Sequence, residues 1–527
     1  MLDHILVLGN IWTGDTACPH CRAFFSENGI ITFTGTANDA KKYACGKKYE
    51  TYDFGDNLVI PGMTDSHIHA TAYAKQDFYV NLGDTKNLAE IGLLLKAKAR
   101  EMPEGVWIRA INFNESAWTD PRKPDRCFLD SLELKNPLLV SRYCGHFHAV
   151  NSIALKQSGL WDKYDVNIAR DADGNHLGQL TEGAAGPLIE TIASIYEKPE
   201  YVANLIEKSC LKLASHGITA LHACDAPSYA LGEDLAACQR LYENGRLPIR
   251  WACYHDRLPN YDIKSGFGND MIFFAGLKLF ADGTLGGRTC ALRDCFSDDP
   301  PNKGLLNHSD EELRALIAEA HKKGIQVQIH AIGDRALEQT IDSINYVVNK
   351  LGIPELPYRI NHAIVCPKDL LEKIKKSNVT IDIQPIQAHT DRNMTPLRVG
   401  HERMKTCYSF KSLYQAAYTL TGSSDAPIED PNPWLGIWAA VNLTEMDNLP
   451  LRSYNRSETL SLDEALMIYT ANPWKSIGKE AKFGTISCGK KADFTVLDGD
   501  PFKMDKSELK CVAHLATFVE GRIIWSK

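Results

Sequence analysis

Residues 58–70 read LVIPGMTDSHIHA, a short apolar run that ends in His67-Ile68-His69. Side chains alternate faces along a β-strand, so residues two apart point the same way and two imidazoles can converge on one point. Such convergence is metal-ligand geometry. Imidazole suits zinc, copper, iron and nickel, and a site needs further ligands from elsewhere in the chain. A His-x-His pair alone is weak evidence because it also arises by chance, so its reading turns on what surrounds it.

Downstream, strand-like segments recur at residues 217–223 (GITALHA), 248–254 (PIRWACY), 276–280 (GLKLF), 325–330 (IQVQIH), 358–364 (YRINHAI), 379–384 (VTIDIQ) and 418–425 (YTLTGSSD). With the strand ending at His67 and His69 they make about eight, the number a closed β/α barrel needs. Amphipathic helices fit between them, for example residues 310–320 (DEELRALIAEA) with Ser309 as N-cap. A stretch at roughly 80–201, between the first and second strands, is too long for one βα unit and reads as an inserted subdomain.

The two ends differ from this middle. Residues 5–8 (ILVL), 23–25 (AFF), 29–35 (GIITFTG) and 51–54 (TYDF) are strand-like and bounded by turn residues such as Gly9-Asn10 and Gly55-Asp56-Asn57. Residues 484–486 (GTI), 492–497 (ADFTVL) and 521–525 (GRIIW) repeat the pattern. The expected organisation is therefore α/β: an eight-stranded TIM barrel over 61–479 carrying the insertion, plus a small β-sandwich built from 1–60 and 480–527.

At 527 residues the chain is too long for one simple core. Its 44% hydrophobic and 24% charged residues are ordinary for a soluble globular protein. A net charge of −8 with no basic stripe argues against nucleic acid as a partner. The opening MLDHILVLGNIWTGD is too short and lacks the basic flank of a signal peptide or spanning helix, so no membrane partner is expected and the expected compartment is the cytoplasm. Fifteen cysteines without framework spacing read as reduced thiols. Cys18-Pro-His-Cys21 stands apart, as a loop accident or as a metal or redox pair.

His330, His362 and Asp425 each fall at or beyond the C-terminal end of an expected strand, the face where barrel enzymes place their active sites. Lys278 lies inside the apolar strand GLKLF, where an unpaired ammonium is costly and its pKa is driven down. A neutral amine there can form a carbamate able to bridge two divalent metals; the alternative is an ammonium paired with an acid such as Asp282.

The ordered motifs PGMTDSHIH, GLKLFADGTLGGRT, IHAIGD, RINHA and GSSDAP resemble the amidohydrolase superfamily, in the amidohydrolase-3 branch that includes N-substituted formamide deformylase. The resemblance extends over SRYCGHFHAVNSIAL, ANPW, GTISCGKKADFTVLD and EGRIIW, and so over essentially the whole chain. It implies His67 and His69 on one metal, carboxylated Lys278 as a bridge, His330 and His362 on the second metal, and Asp425 as ligand and proton acceptor. The implied cofactors are two divalent ions, with Zn2+ the first choice, and the implied reaction is hydrolysis of a non-peptide C–N bond in an N-acyl or N-formyl amine or a cyclic amide by a metal-bridging hydroxide. Arg142, His146 and Asn151 match family positions and are expected over the barrel mouth, against substrate or the developing oxyanion; the alternative for them is capping and packing of the insertion. Glu182 and Asp334 are further candidates of the same kind, and Phe113, Trp118, Phe147 and Trp434 suit either an apolar substrate group or the core. Ring deamination and a catalytically silent binding homologue are the competing functions, and a homodimer is expected by analogy.

Overall fold

A computed structural model of the chain describes all residues except 1–3, 77–78, 116–117, 119, 143–146, 197–198, 226–230, 261 and 444–456. Eight strands, β1 (Met63–Ile68), β2 (Ile218–Ala223), β3 (Arg250–His255), β4 (Ile272–Phe280), β5 (Gln326–Ala331), β6 (Arg359–His362), β7 (Thr380–Ile383) and β8 (Thr419–Gly422), form one sheet in chain order. Every neighbouring pair is parallel. The strands are buried almost throughout, as parallel strands covered on both faces must be. β8 returns to β1 through single bonds: Ser66 Oγ donates to the Gly422 carbonyl at 2.9 Å, and Asp425 N–H to the His67 carbonyl at 2.9 Å. The sheet is thus an almost closed α/β barrel, as the spacing of the segments predicts.

The helix after β4, Asp310–Lys322, begins at Ser309 with a full capping box, in which Ser309 Oγ accepts from Glu312 N–H and Glu312 Oε2 accepts from Ser309 N–H at 2.8 Å. It buries Leu313, Ile317 and Ala320, the one-face spacing of an amphipathic helix.

The chain ends combine in a seven-stranded sheet, ordered Arg522–Ser526, His514–Val519, Phe494–Leu497, Glu50–Pro61, His4–Trp12, His20–Glu27, Ile30–Gly35. The apolar run 58–61 belongs to this sheet, with Val59 opposite both Ile11 and Val496; only from Met63 does the chain enter the barrel. Gly62 makes the passage, since a Cβ there would sit 2.2 Å from Thr219 Oγ1. Phe24, Phe494 and Phe518 fill one face, the last two stacked at 4.2 Å, and Phe25 and Leu6 pack against the helix Ala37–Tyr43 on the other. Strand His514–Val519 falls outside the expected segments, while 484–486 is not a strand.

This sheet is fastened to the barrel by buried polar bonds. Arg250 on β3 forks onto Asp493 at 2.7 and 2.9 Å. Trp434, the second residue of the helix Pro433–Asn442, donates its indole N–H to His514 Nε2 at 3.1 Å.

Residues Met1–Thr71, Glu207–Leu231 and Cys238–Lys527 form one compact unit; Ala72–Ile206 with Gly232–Ala237 form another. The second has its own six-stranded sheet, ordered Ile168–Arg170, His176–Thr181, Phe147–Val150, Leu138–Arg142, Ile108–Phe113, Val80–Asn81. Among the described residues no helix is long and apolar enough to cross a membrane.

Candidate active site

Because the barrel strands run the same way, their C-terminal ends share one rim. His67 lies near the end of β1, His69 just beyond it, Lys278 within β4, His330 in β5, His362 at the end of β6 and Asp425 in the turn after β8. Nε2 of His67 and Nε2 of His69 stand 3.2 and 3.3 Å from the same atom, Asp425 Oδ1. One ligand atom from each of these residues lies within 4.8 Å of the other two. The rings of His330 and His362 are 4.4 Å apart, and those of His67 and His362 5.4 Å.

Carbonyls set the tautomers of His362 and His330. His362 Nδ1 donates to Gln384 Oε1 at 2.6 Å. The Gln384 amide is itself oriented by its Nε2 donating to Ser423 Oγ at 2.8 Å. The lone pair of His362 therefore sits on Nε2, which is buried and has no hydrogen-bond partner among the described residues. His330 donates Nε2–H to the Gly283 carbonyl at 2.9 Å, leaving its lone pair on Nδ1. Ligating histidines are held in this way, by the ring nitrogen that does not bind metal.

The electrostatics agree. Burial, reinforced by Lys278, drives His67 to about 3 and His330 to about 4; burial also holds His362 well below its ordinary value. Burial alone would raise the Asp425 carboxyl, but the His67 and His69 imidazoles beside it hold it well below the usual carboxylate range. An ionised Asp425 with neutral imidazoles at His67, His330 and His362 is the protonation state a metal site demands. His362 and Asp425 both adopt left-handed backbone, with φ of 75° and 60°. Such strain costs roughly 1–3 kcal/mol per residue and collects at functional sites. At Asp425 it is held by the N–H bond to His67 and by Asp65, whose Oδ1 accepts from His67 N–H at 3.2 Å and Ser424 N–H at 3.1 Å.

Lys278 is fully buried, and burial brings its amine down to about 8. Its partner is Asn361 Oδ1. Asp282, the acid suggested by the sequence, instead accepts backbone N–H bonds from Ala291, Ile332 and Gly333 at 2.9–3.0 Å. The ion pair weighed from the sequence does not form.

The Amidohydrolase family model matches residues 50–525. The chain belongs to the amidohydrolase family. It is 31% identical over 515 residues to YtcJ of Bacillus subtilis (strain 168), with 96% of each chain covered. It is 24% identical over 542 residues to the N-substituted formamide deformylase of Arthrobacter pascens, covering 99% of this chain and 98% of that one. A metal-dependent hydrolase from Pyrococcus horikoshii superposes with a TM-score of 0.78 at 27% identity, over 95% of this chain and 99% of that one. Family and structural likeness are those of metal-dependent hydrolases.

In the insertion of this amidohydrolase, Arg142 ends the strand Leu138–Arg142 and shares its Nε–H between the two carboxylate oxygens of Glu115, at 3.0 and 2.8 Å. Asn151 caps the helix Ser152–Gln157: Oδ1 accepts from Ala154 N–H and Leu138 N–H at 3.0 Å, and Nδ2 donates to the Asn136 carbonyl at 2.9 Å. Capping accounts for this side chain. His146 lies outside the described residues, and Glu182 opens the short turn Glu182–Ala185. Asp334 accepts from Arg293 N–H at 2.9 Å at the start of the helix Asp334–Leu351. Phe113, Trp118 and Phe147 fill the core of the insertion, and Trp434 is buried on His514. Cys18 is exposed and Cys21 partly so, both as free thiols.

Sequence reading passed over Asp65, Gln384, Asn361 and Asp382. Their only signal is that polar residues alternate with isoleucine along buried strand segments, as in TIDIQ and RIN of RINHA.

Proposed function

We propose that this amidohydrolase hydrolyses a C–N bond other than a peptide bond in a small molecule, an N-formyl or N-acyl amine or a cyclic amide, with two divalent ions, Zn2+ being the best fit. The observation that supports it most strongly is the convergence of His67 Nε2, His69 Nε2 and Asp425 Oδ1 within 4.8 Å. The buried Nε2 of His362, without a hydrogen-bond partner among the described residues, fits the same donor set. His67, His69 and Asp425 would hold one ion; His330 through Nδ1, His362 through Nε2 and a carboxylated Lys278 the other. Bound there, the ions would polarise the scissile carbonyl and lower the pKa of water to about 7.

The remaining work falls to side chains. Asp425, kept ionised, accepts the proton of the attacking water and returns it to the leaving nitrogen. Asp65 and the Asp425 N–H bond to β1 keep that carboxylate facing His67 and His69. Lys278 would hold the ions as a carbamate, formed when its neutral amine attacks carbon dioxide: the N–C bond forms, one C=O electron pair moves to oxygen, and one proton leaves nitrogen for solvent. The anion would compensate charge that four neutral imidazoles and one carboxylate would leave on two divalent ions. The formamide deformylase relative favours formamides within the substrate class.

The test is metal analysis of purified protein followed by a screen of N-formyl amines, N-acyl amines and cyclic amides. Zinc-dependent release of amine is expected. A protein that takes up no metal, or a metalloprotein that releases ammonia from purines or pyrimidines and no amine from amides, would refute the reading.

A further inference from the structure

Barrel interiors are ordinarily filled by layers of Val, Ile and Leu, yet beneath the candidate site this one holds charge. Arg359 on β6 and Asp382 on β7 are both wholly buried and joined by a fork, with Nη2 2.6 Å from Oδ1 and Nε 3.1 Å from Oδ2. The guanidinium is saturated further by Tyr254 Oη at 2.7 Å, the Ser66 carbonyl at 2.8 Å and His222 Nδ1 at 2.9 Å. Asp382 also accepts from Thr421 Oγ1 and from Gln328 Nε2 at 3.2 Å. Buried ion pairs rarely add stability over an apolar filling of the same volume, so this layer calls for another reason.

The reason lies in what Asp382 does to Asn361. A carboxylate accepts and cannot donate, so the Asn361 atom 2.9 Å from Asp382 Oδ2 must be Nδ2. The carboxamide is thereby turned with Oδ1 toward Lys278 Nζ, which donates to it. We infer that Asn361, oriented by the Arg359–Asp382 pair, is the positioning residue for Lys278. This rests on the proposal that Lys278 works as a carbamate. A carbamate nitrogen retains one N–H, and Asn361 Oδ1 is an acceptor for it. The retained hydrogen fixes rotation about the nitrogen, leaving the carboxylate no freedom to turn away from the metals. Leucine at 361 offers no acceptor. Aspartate there repels Asp382 and pairs with the amine as an ammonium, the form that cannot take up carbon dioxide.

The experiment compares wild type, Asn361→Leu and the isosteric Asn361→Asp, each checked for folding by circular dichroism. Lys278 carbamate is read by 13C NMR after equilibration with 13C-bicarbonate, and Zn2+ affinity by competition with a chelator. Partners of metal ligands typically govern affinity by about 10–100-fold, and a loss in that range with a diminished carbamate signal is expected in both variants. Asp382→Asn, whose amide presents either end to Asn361, should lose less. A wild-type carbamate signal kept at full strength, with unchanged Zn2+ affinity, in any folded Asn361 variant overturns the inference alone. Absence of the signal from zinc-loaded wild type overturns the carbamate reading and the inference with it.

Discussion

His514 makes the joint between the terminal sheet and the barrel sensitive to acid. Its Nε2 accepts from the Trp434 indole N–H at 3.1 Å, and its Nδ1 lies 2.9 Å from Thr495 Oγ1. Indole can only donate, so a proton on Nε2 destroys the bond, and burial accordingly lowers His514 to about 3. Below its ordinary pKa the unfolded chain takes up this proton and the folded one does not. The stabilisation is therefore complete above about pH 6.5 and is lost as pH falls toward 3. Between pH 7 and pH 4.5 the loss from this residue is about 3 kcal/mol, from the standard relation between proton binding and stability. Urea unfolding of wild type and His514→Gln across that range isolates the residue, because glutamine can accept from Trp434 and donate to Thr495 without titrating. The variant should lose less stability on acidification, by about the amount above. Parallel profiles for the two proteins would refute the tautomer and the joint it makes.

Other expectations follow from the same contacts. Asp493→Ala takes the forked carboxylate from the buried Arg250 guanidinium and leaves it Glu520 Oε1 at 3.3 Å; it should destabilise by about 3 kcal/mol in urea unfolding, the low end for a buried pair that loses one partner, while pairing it with Arg250→Met should recover much of that loss. Deleting residues from Lys482 onward removes Phe494 and Phe518 from the face they share with Phe24 and Val59, so the product should aggregate on size-exclusion chromatography; a monodisperse truncation would contradict this packing. Lys278→Ala should lose bound metal and activity together, and a short carboxylic acid should partly restore both; loss of activity at full metal content would contradict a bridging role.

Much of the barrel is legible in the sequence because parallel strands buried on both faces become short apolar runs separated by helix-length segments, and chemistry at their ends interrupts the run. His330, His362 and Asp425 are such interruptions. The run 58–61 is misleading for a physical reason: a strand of the terminal sheet and a barrel strand follow one another across Gly62, and both are apolar. Residues that act only through others leave almost no trace. Asn361 stands beside His362 in the chain, yet its role depends on Asp382, a residue of the neighbouring strand, and on Lys278, 83 positions away. Asp282 looks like a lysine partner by proximity in sequence, and three backbone N–H groups claim it instead. Long-range hydrogen bonds decided these cases, and spacing does not encode them.

The most direct test of the central claim is a high-resolution crystal structure of protein prepared with bicarbonate and excess zinc, with anomalous data collected at the zinc edge. Two anomalous peaks are expected, one among His67, His69 and Asp425 and one beside His330 and His362, with continuous density extending from Lys278 Nζ toward both. A single peak beside a bare lysine amine would contradict the account.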